Sequence, residues 1–183
     1  MGQGTPAERA FEPLGGETVY SGRIVDVRKE RFRYADGEEV TREIVRHKGA
    51  VGMLAYDEHE IWLVRQPREA TGESDLLEIP AGRLDVEGEE PLAAAKRELA
   101  EEVGLGAEEW EKIVTYYTGA GFTDERVHLF AARGLHERTA HSEENERIEV
   151  VRWPLADLDA AIAECVDAKT LIALLWLSVR MND

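Results

Sequence analysis

One stretch constrains this chain more than any other. Residues 82–105 read GRLDVEGEEPLAAAKRELAEEVGL, a glycine-bearing loop running into a helix whose two ends are both encoded. Pro91 suits the first helical turn, where a missing N–H costs nothing, and Gly104 suits the residue just past the end. At 100° per residue, Leu92, Ala95, Leu99 and Val103 share one stripe, the expected buried face. Glu98 and Glu102 stand one turn apart on a neighbouring face, with Glu101 beside them. Like charges at that spacing repel, and carboxylates near a helix C-terminus oppose the negative end of its dipole, each by some tenths of a kcal/mol. A solvated acidic face tolerates such terms. A divalent cation removes them, and all-oxygen donors suit a hard ion such as Mg²⁺ or Mn²⁺.

The rest of the composition narrows the setting. A chain of 183 residues with 43% hydrophobic and 33% charged content is expected to form one main soluble domain with an extension. A net charge of −16 excludes a broad basic groove for nucleic acid. It does not exclude an anionic small substrate at a locally positive pocket. Cys165 is the sole cysteine, so an intrachain disulfide is impossible and a cytoplasmic setting fits. No apolar run reaches the roughly 18 residues of a membrane span. Residues 1–16 lack the basic and apolar regions of a signal peptide and read as a loosely ordered leader.

Glu89, Arg97-Glu98-Leu99, Glu101-Glu102 and Gly104-Leu105 together resemble the signature box of the Nudix hydrolases. That pattern is a glycine, five residues, a glutamate, seven residues, then R-E-U-x-E-E-x-G-U with U apolar. Every fixed position from Glu89 onward is in register; in front, six residues rather than five separate Gly82 from Glu89. An extra loop residue alters the path of the loop and leaves the helix register intact. The resemblance implies an α/β (α+β) Nudix fold, a mixed sheet sandwiched between helices with an N-terminal antiparallel strand extension. The boundaries expected are a leader over 1–16, a strand region over 17–48 and the Nudix domain over 49–183.

Residues 17–47 have strand-like content, and Asp36-Gly37 marks a hairpin because both residues tolerate positive φ. Similar enzymes acting on ADP-ribose pack such a region across a homodimer interface, so the resemblance implies a homodimer. Two short apolar runs follow, 49–56 and 61–64, separated by the turn Asp57-Glu58-His59-Glu60. Pro67 is expected to end regular pairing there. Arginines leaving a strand bind phosphate oxygens bidentately, which makes Arg65 and Arg68 candidates for substrate contact, with solvated surface arginines as the plain alternative. The resemblance favours Arg68, because V-x-Q-x-R recurs in the ADP-ribose subgroup.

Glu78-Ile79-Pro80-Ala81-Gly82 is similar to the E-x-P-A-G segment of that subgroup, in which the alanine carbonyl ligates metal. The implied metal set is Ala81, Glu98, Glu101 and Glu102, with Arg97 orienting the carboxylates and Glu78 orienting neighbours at the substrate side. After a strand over 113–117 comes Gly121-Phe122-Thr123-Asp124-Glu125, which resembles the family's G-x-T-[DS]-E loop except that Ala120 replaces the usual proline. Phe122 and Asp124 are thus substrate-binding candidates, although aromatics at a strand end, here Tyr116, Tyr117 and Phe122, are more often packing residues than a stacking surface for a base. The charged loop over 136–147 reads as solvated by composition. The resemblance instead draws a general base from it, and counting back from Ile148 selects Glu144, with Glu143, Glu146 and His141 as alternatives. Helices over 157–166 and from Asp167 onward, the latter N-capped by Asp167, read as packing elements.

The implied reaction is metal-dependent hydrolysis of the diphosphate linkage of ADP-ribose to AMP and ribose 5-phosphate, or of a related nucleoside diphosphate sugar. GDP-mannose remains open because of Ala120. A nucleotide-binding regulator of the same fold that does not cleave is the alternative of a different class.

Overall fold

The computed structural model describes residues 10–139 and 147–182. They form two compact units, one comprising the described residues through His47 with Tyr117–Glu125, the other Lys48–Tyr116 and the described residues from Arg126 onward. By its contacts the loop 117–125 thus groups with the N-terminal strands.

The first unit is an antiparallel meander of β1 (Phe11–Ser21), β2 (Val25–Tyr34) and β3 (Glu39–His47) in that order. The β2–β3 hairpin turns at Asp36-Gly37 as expected, closed by the Tyr34 N–H to the Glu38 carbonyl at 2.9 Å. β1 begins at Phe11, inside the segment read as leader. Its ring stacks edge-on against Phe32 at 5.4 Å and Tyr34 at 6.3 Å, a long-range contact that local composition does not announce.

Among the described residues the second unit contains a mixed seven-stranded sheet in the order β10-β5-β4-β9-β8, with β6 beside β5 and β7 beside β4. These are β4 (Ala50–Tyr56), β5 (Glu60–Arg68), β6 (Glu73–Glu78), β7 (Ala81–Arg83), β8 (Leu105–Tyr117), β9 (Arg126–Glu137) and β10 (Glu149–Pro154). The helices are α1 (Pro91–Val103), α2 (Leu158–Glu164) and α3 (Ala168–Asn182). β4 and β9 are parallel neighbours, and β5 and β7 run antiparallel to β4. A strand covered on both faces should be apolar throughout rather than alternating, and β4 reads AVGMLAY. Its Val51, Met53 and Ala55 pack in one cluster with Ala94, Ala95 and Leu99 of α1. Leu54 packs in another with Leu158 and Ala161 of α2 and Ala173, Leu174 and Leu177 of α3. The sheet is therefore sandwiched between helices, as the sequence implies.

Three local expectations change. α1 buries Ala94, Ala95, Leu99 and Ala100, whereas Leu92 is 37% exposed. The small residues let α1 settle close onto β4 and β7, and this turns the stripe toward the alanines. Pro67 does not end β5; it lies within a register shift between Gln66 and Arg68, where a missing N–H leaves the ladder intact on both sides. β8 also starts well before Ile113, because an edge strand tolerates the charged Glu108, Glu109 and Glu111 on its exposed positions.

Replacing Leu99, fully buried, with alanine should lower unfolding free energy by about 2–5 kcal/mol. Leu92→Ala should cost far less, as chemical denaturation would show; equal losses would contradict the packing of α1.

Candidate active site

The box is built where β7 hands over to α1. Gly104 closes the helix in the left-handed region at φ 75°, and its N–H returns to the Ala100 carbonyl. The loop before the helix takes up the extra residue through Gly88, at φ 78°, with the Glu89 N–H reaching the Val86 carbonyl. Glu89 thereby still reaches the helix. Its two carboxylate oxygens accept from Arg97 Nε at 3.1 Å and Nη2 at 2.9 Å. Arg97 Nη1 donates to Glu98 at 2.7 Å and to Glu101 at 2.8 Å. The Glu89 hydrogen bond, then the Glu98 charge and the hydrogen bonds to Glu101 and Glu98, hold the guanidinium more firmly protonated than an ordinary arginine, against the opposing effect of burial.

Glu102 takes a different partner. Its Oε2 accepts the Ala81 N–H at 2.9 Å. A Cβ on Gly82 would fall 2.0 Å from the Glu98 carboxyl carbon, so only glycine allows this carboxylate to lie against β7. Ala81, Glu98, Glu101 and Glu102 are thus brought to one strand–helix junction. Among the described residues no three His, Cys, Asp or Glu side chains are grouped tightly enough to hold a metal by themselves. With Glu98 and Glu101 on Arg97 and Glu102 on the Ala81 amide, the oxygens gathered at this junction are those of carboxylates and of the Ala81 peptide. The donors are all hard oxygens, which fits Mg²⁺ or Mn²⁺ and not a soft ion.

Glu78, 1% exposed, anchors the strand that leads into this junction. Arg68 grips it bidentately, Nε at 2.6 Å and Nη2 at 2.7 Å, and Lys169 Nζ donates at 2.6 Å. Burial pushes the Glu78 carboxyl up, but Arg68 and Lys169 outweigh it and hold it below the usual carboxylate range. Arg68 therefore stands on a carboxylate beside the box, with side-chain exposure of 40%. Arg65 is bound otherwise, to Asp75 at 3.3 Å and to Glu164 at the end of α2. Sequence reasoning missed Lys169 and Thr170. The available signal was a cation in the first turn of α3, which opposes the helix dipole and so calls for a carboxylate partner.

In the first unit, Asp124 accepts from Arg46 Nη1 at 2.8 Å and from the His47 N–H at 3.0 Å, while Val45 and Thr123 form a parallel bridge. Arg46 also binds Glu30 at 2.9 Å. These bonds, with the Val45 N–H donating to the Phe122 carbonyl at 2.8 Å, fasten the 117–125 loop to β3 through backbone and side chains together, with Ala120 where the family pattern has proline. Phe122, 60% exposed, lines a cavity of about 300 Å³ with Phe32, Tyr34, Arg42 and Arg46. Glu144 and its alternatives Glu143, Glu146 and His141 lie outside the described residues.

A sequence profile of the NUDIX domain matches residues 46–175. The chain belongs to the Nudix family. It is 45% identical over 155 residues to an ADP-ribose pyrophosphatase of Mycobacterium tuberculosis, covering 82% of this chain and 74% of that one. An ADP-ribose pyrophosphatase of Bacillus subtilis is 40% identical over 172 residues, covering 91% and 92% respectively. A crystal structure of an ADP compounds hydrolase superposes with a TM-score of 0.83 over 97% of both chains at 23% identity, which establishes the common fold.

Two outcomes follow from the geometry. Gly82→Ala should displace the Glu98 carboxylate and lower hydrolytic turnover at least 10-fold, while far-ultraviolet circular dichroism stays unchanged. Because the Glu78 pKa is depressed in the folded state, its stabilisation is complete above the unfolded value near 4.3 and is lost as pH falls through the folded value. Denaturation midpoints between pH 6 and 3 should fall less steeply in Glu78→Gln than in the wild type.

Proposed function

We propose that this Nudix hydrolase cleaves the diphosphate linkage of ADP-ribose, giving AMP and ribose 5-phosphate. The observation that carries the proposal is the junction itself, with Glu98 against Gly82, Glu102 on the Ala81 amide and Arg97 joining Glu89, Glu98 and Glu101. The names of the two relatives support the substrate class. In the reaction one water oxygen bonds to a diphosphate phosphorus as the bridging P–O bond on that phosphorus breaks. Mg²⁺, or Mn²⁺ in its place, neutralises the phosphate oxygens and lowers the pKa of the attacking water when bound.

The remaining work falls to side chains. Ala81, Glu98, Glu101 and Glu102 offer the oxygens that hold the ions. Arg97 keeps the carboxylates from repelling one another apart. Glu144 takes the water proton, with Glu143 and Glu146 as the neighbours to test beside it. Arg68 offers a phosphate the guanidinium N–H groups that Glu78 leaves over, Glu78 fixing the plane of the fork, and Arg65 supplies a further cation on the same strand. Phe122 gives a flat face for a base and Asp124 holds its loop.

The N-terminal strands present Phe11, Val19 and Tyr20 to solvent, with Ile24 just beyond β1. Exposed apolar side chains at both ends of a short meander favour a second copy of the chain as their cover, so the functional form we infer is a homodimer. No helix of the described residues is long and apolar enough to cross a membrane, and a single buried thiol, its pKa raised by burial, suits a reducing cytoplasm.

With Mg²⁺, ADP-ribose should release AMP, and Glu102→Gln should lose roughly 100-fold or more in turnover. Faster cleavage of GDP-mannose or NADH than of ADP-ribose would keep the chemistry and replace the substrate. Tight nucleotide binding without turnover would establish the non-cleaving regulator. In sedimentation equilibrium the wild type should run as a dimer and Tyr20→Glu as a monomer; a monomeric wild type would remove the homodimer.

A further inference from the structure

Five consecutive residues, Glu78 to Gly82, lead into the box, and between them they are held by β4, β5, α1 and α3 of the second unit. The Glu78 carboxylate lies on Arg68 and Lys169. The Ile79 N–H donates to Thr170 Oγ1 at 2.8 Å. The Pro80 carbonyl accepts the Met53 N–H at 2.9 Å, and the Ala81 N–H reaches Glu102. Gly82 pairs with Val51 of β4 and carries the Glu98 carboxylate against it.

Two of these holds come from the first turn of α3, on the opposite side of the sheet from α1. Thr170 is fully buried, and its hydroxyl has its direction fixed. Because it accepts from Ile79, its own proton goes to Asp167 Oδ2, at 2.6 Å. Asp167 caps the helix through the Thr170 N–H at 3.0 Å and accepts from Lys169 Nζ at 3.0 Å. Arg68, Lys169, Glu78 and Asp167 make two cations and two anions, so their formal charges cancel. A neutral and internally bonded group of this kind keeps its geometry in a low-dielectric interior.

We propose that Thr170 and Lys169 are positioning residues for cation binding, acting through Ile79 and Glu78 on the Ala81 peptide. The proposal rests on the reading of Ala81, Glu98 and Glu102 as the cation site. Removing the Thr170 hydroxyl leaves the buried Ile79 amide without its partner, while Asp167 Oδ2 keeps the Thr170 N–H and Lys169, and relaxation of Ile79 moves the residue two positions before Ala81. The register of the Ala81 peptide against Glu102 then shifts. Loss of a positioning partner of this type weakens metal binding about 10–100-fold.

The test uses Mn²⁺ alone, without nucleotide, following free ion by electron paramagnetic resonance on the full chain, with thermal unfolding measured in parallel. Thr170→Val should raise the Mn²⁺ dissociation constant about 10-fold. Thr170→Ser, which keeps the hydroxyl, should restore it to within about 2-fold. Arg180→Ala, which removes an exposed pair with Glu111 at the far end of the same helix, should lower thermal stability slightly and leave Mn²⁺ affinity unchanged. Lys169→Met gives the same readout should Thr170→Val fail to fold. Wild-type Mn²⁺ affinity in a folded Thr170→Val or Lys169→Met protein would overturn the positioning role alone. Equal weakening in Thr170→Ser and Thr170→Val would overturn it too. A wild type that binds no Mn²⁺ would instead overturn the cation site, and this proposal with it.

Discussion

Arg97 holds together a helix that its own charges oppose. Glu98, Glu101 and Glu102 sit in the last turns of α1, where the dipole is negative and each carboxylate repels the others. A solvated salt bridge contributes too little to reverse this. Arg97 does more because it is partly buried and joins three carboxylates, one of them from the loop before the helix. Glu89 is therefore a tie between loop and helix as much as a charge. The close seat of α1 on β7 depends on the same pairing, since a Glu98 side chain extended into solvent would not lie across Gly82.

That seat explains how a single short segment comes to be fixed from two sides. β4 is buried on both faces, so the sheet carries α1 on one and α2 with α3 on the other. The backbone leaving β6 emerges between these layers. One residue donates its N–H to a helix on one side, Ile79 to Thr170, and the next but one donates to the other side, Ala81 to Glu102. In a strictly extended chain groups two residues apart point the same way, so it is the break between β6 and β7, at Ile79 and Pro80, that lets these two N–H groups face opposite layers. The box motif supplies only half of this grip.

What was legible in the sequence follows the same division. The box declared α1, its two ends and the carboxylates on Arg97, because those contacts lie within a few residues of one another. β4 and the Asp36-Gly37 hairpin were legible because burial on two faces and positive φ each restrict the residue types allowed. Leu92 was misplaced because periodicity weighs hydrophobicity alone, whereas the contact with β7 selects small size. The early part of β8 was hidden because an edge strand keeps its charges in water. Phe11 and Thr170 were hidden for another reason. Their partners, Phe32 in one case and Ile79 in the other, are distant in sequence, and nothing in the local pattern around them names a partner.

The charge arrangement also bears on how a protein of net charge −16 accepts an anionic diphosphate. At physiological ionic strength charges more than about 8 Å apart are largely screened, so the surplus over the whole surface matters less than the groups beside the phosphate. Those groups are not a bare positive patch. Arg97 is matched by Glu89, Glu98 and Glu101, and Arg68 with Lys169 by Glu78 and Asp167. A guanidinium already paired with a carboxylate adds little net charge, but it retains N–H donors in a fixed plane. Arg68 is thus suited to orienting a phosphate in the function proposed and poorly suited to neutralising one, while Arg97 spends its donors on the carboxylates. In the function proposed, neutralisation falls to cations held by the carboxylates, which gives the acidic helix, unfavourable in isolation, its use toward an anionic substrate.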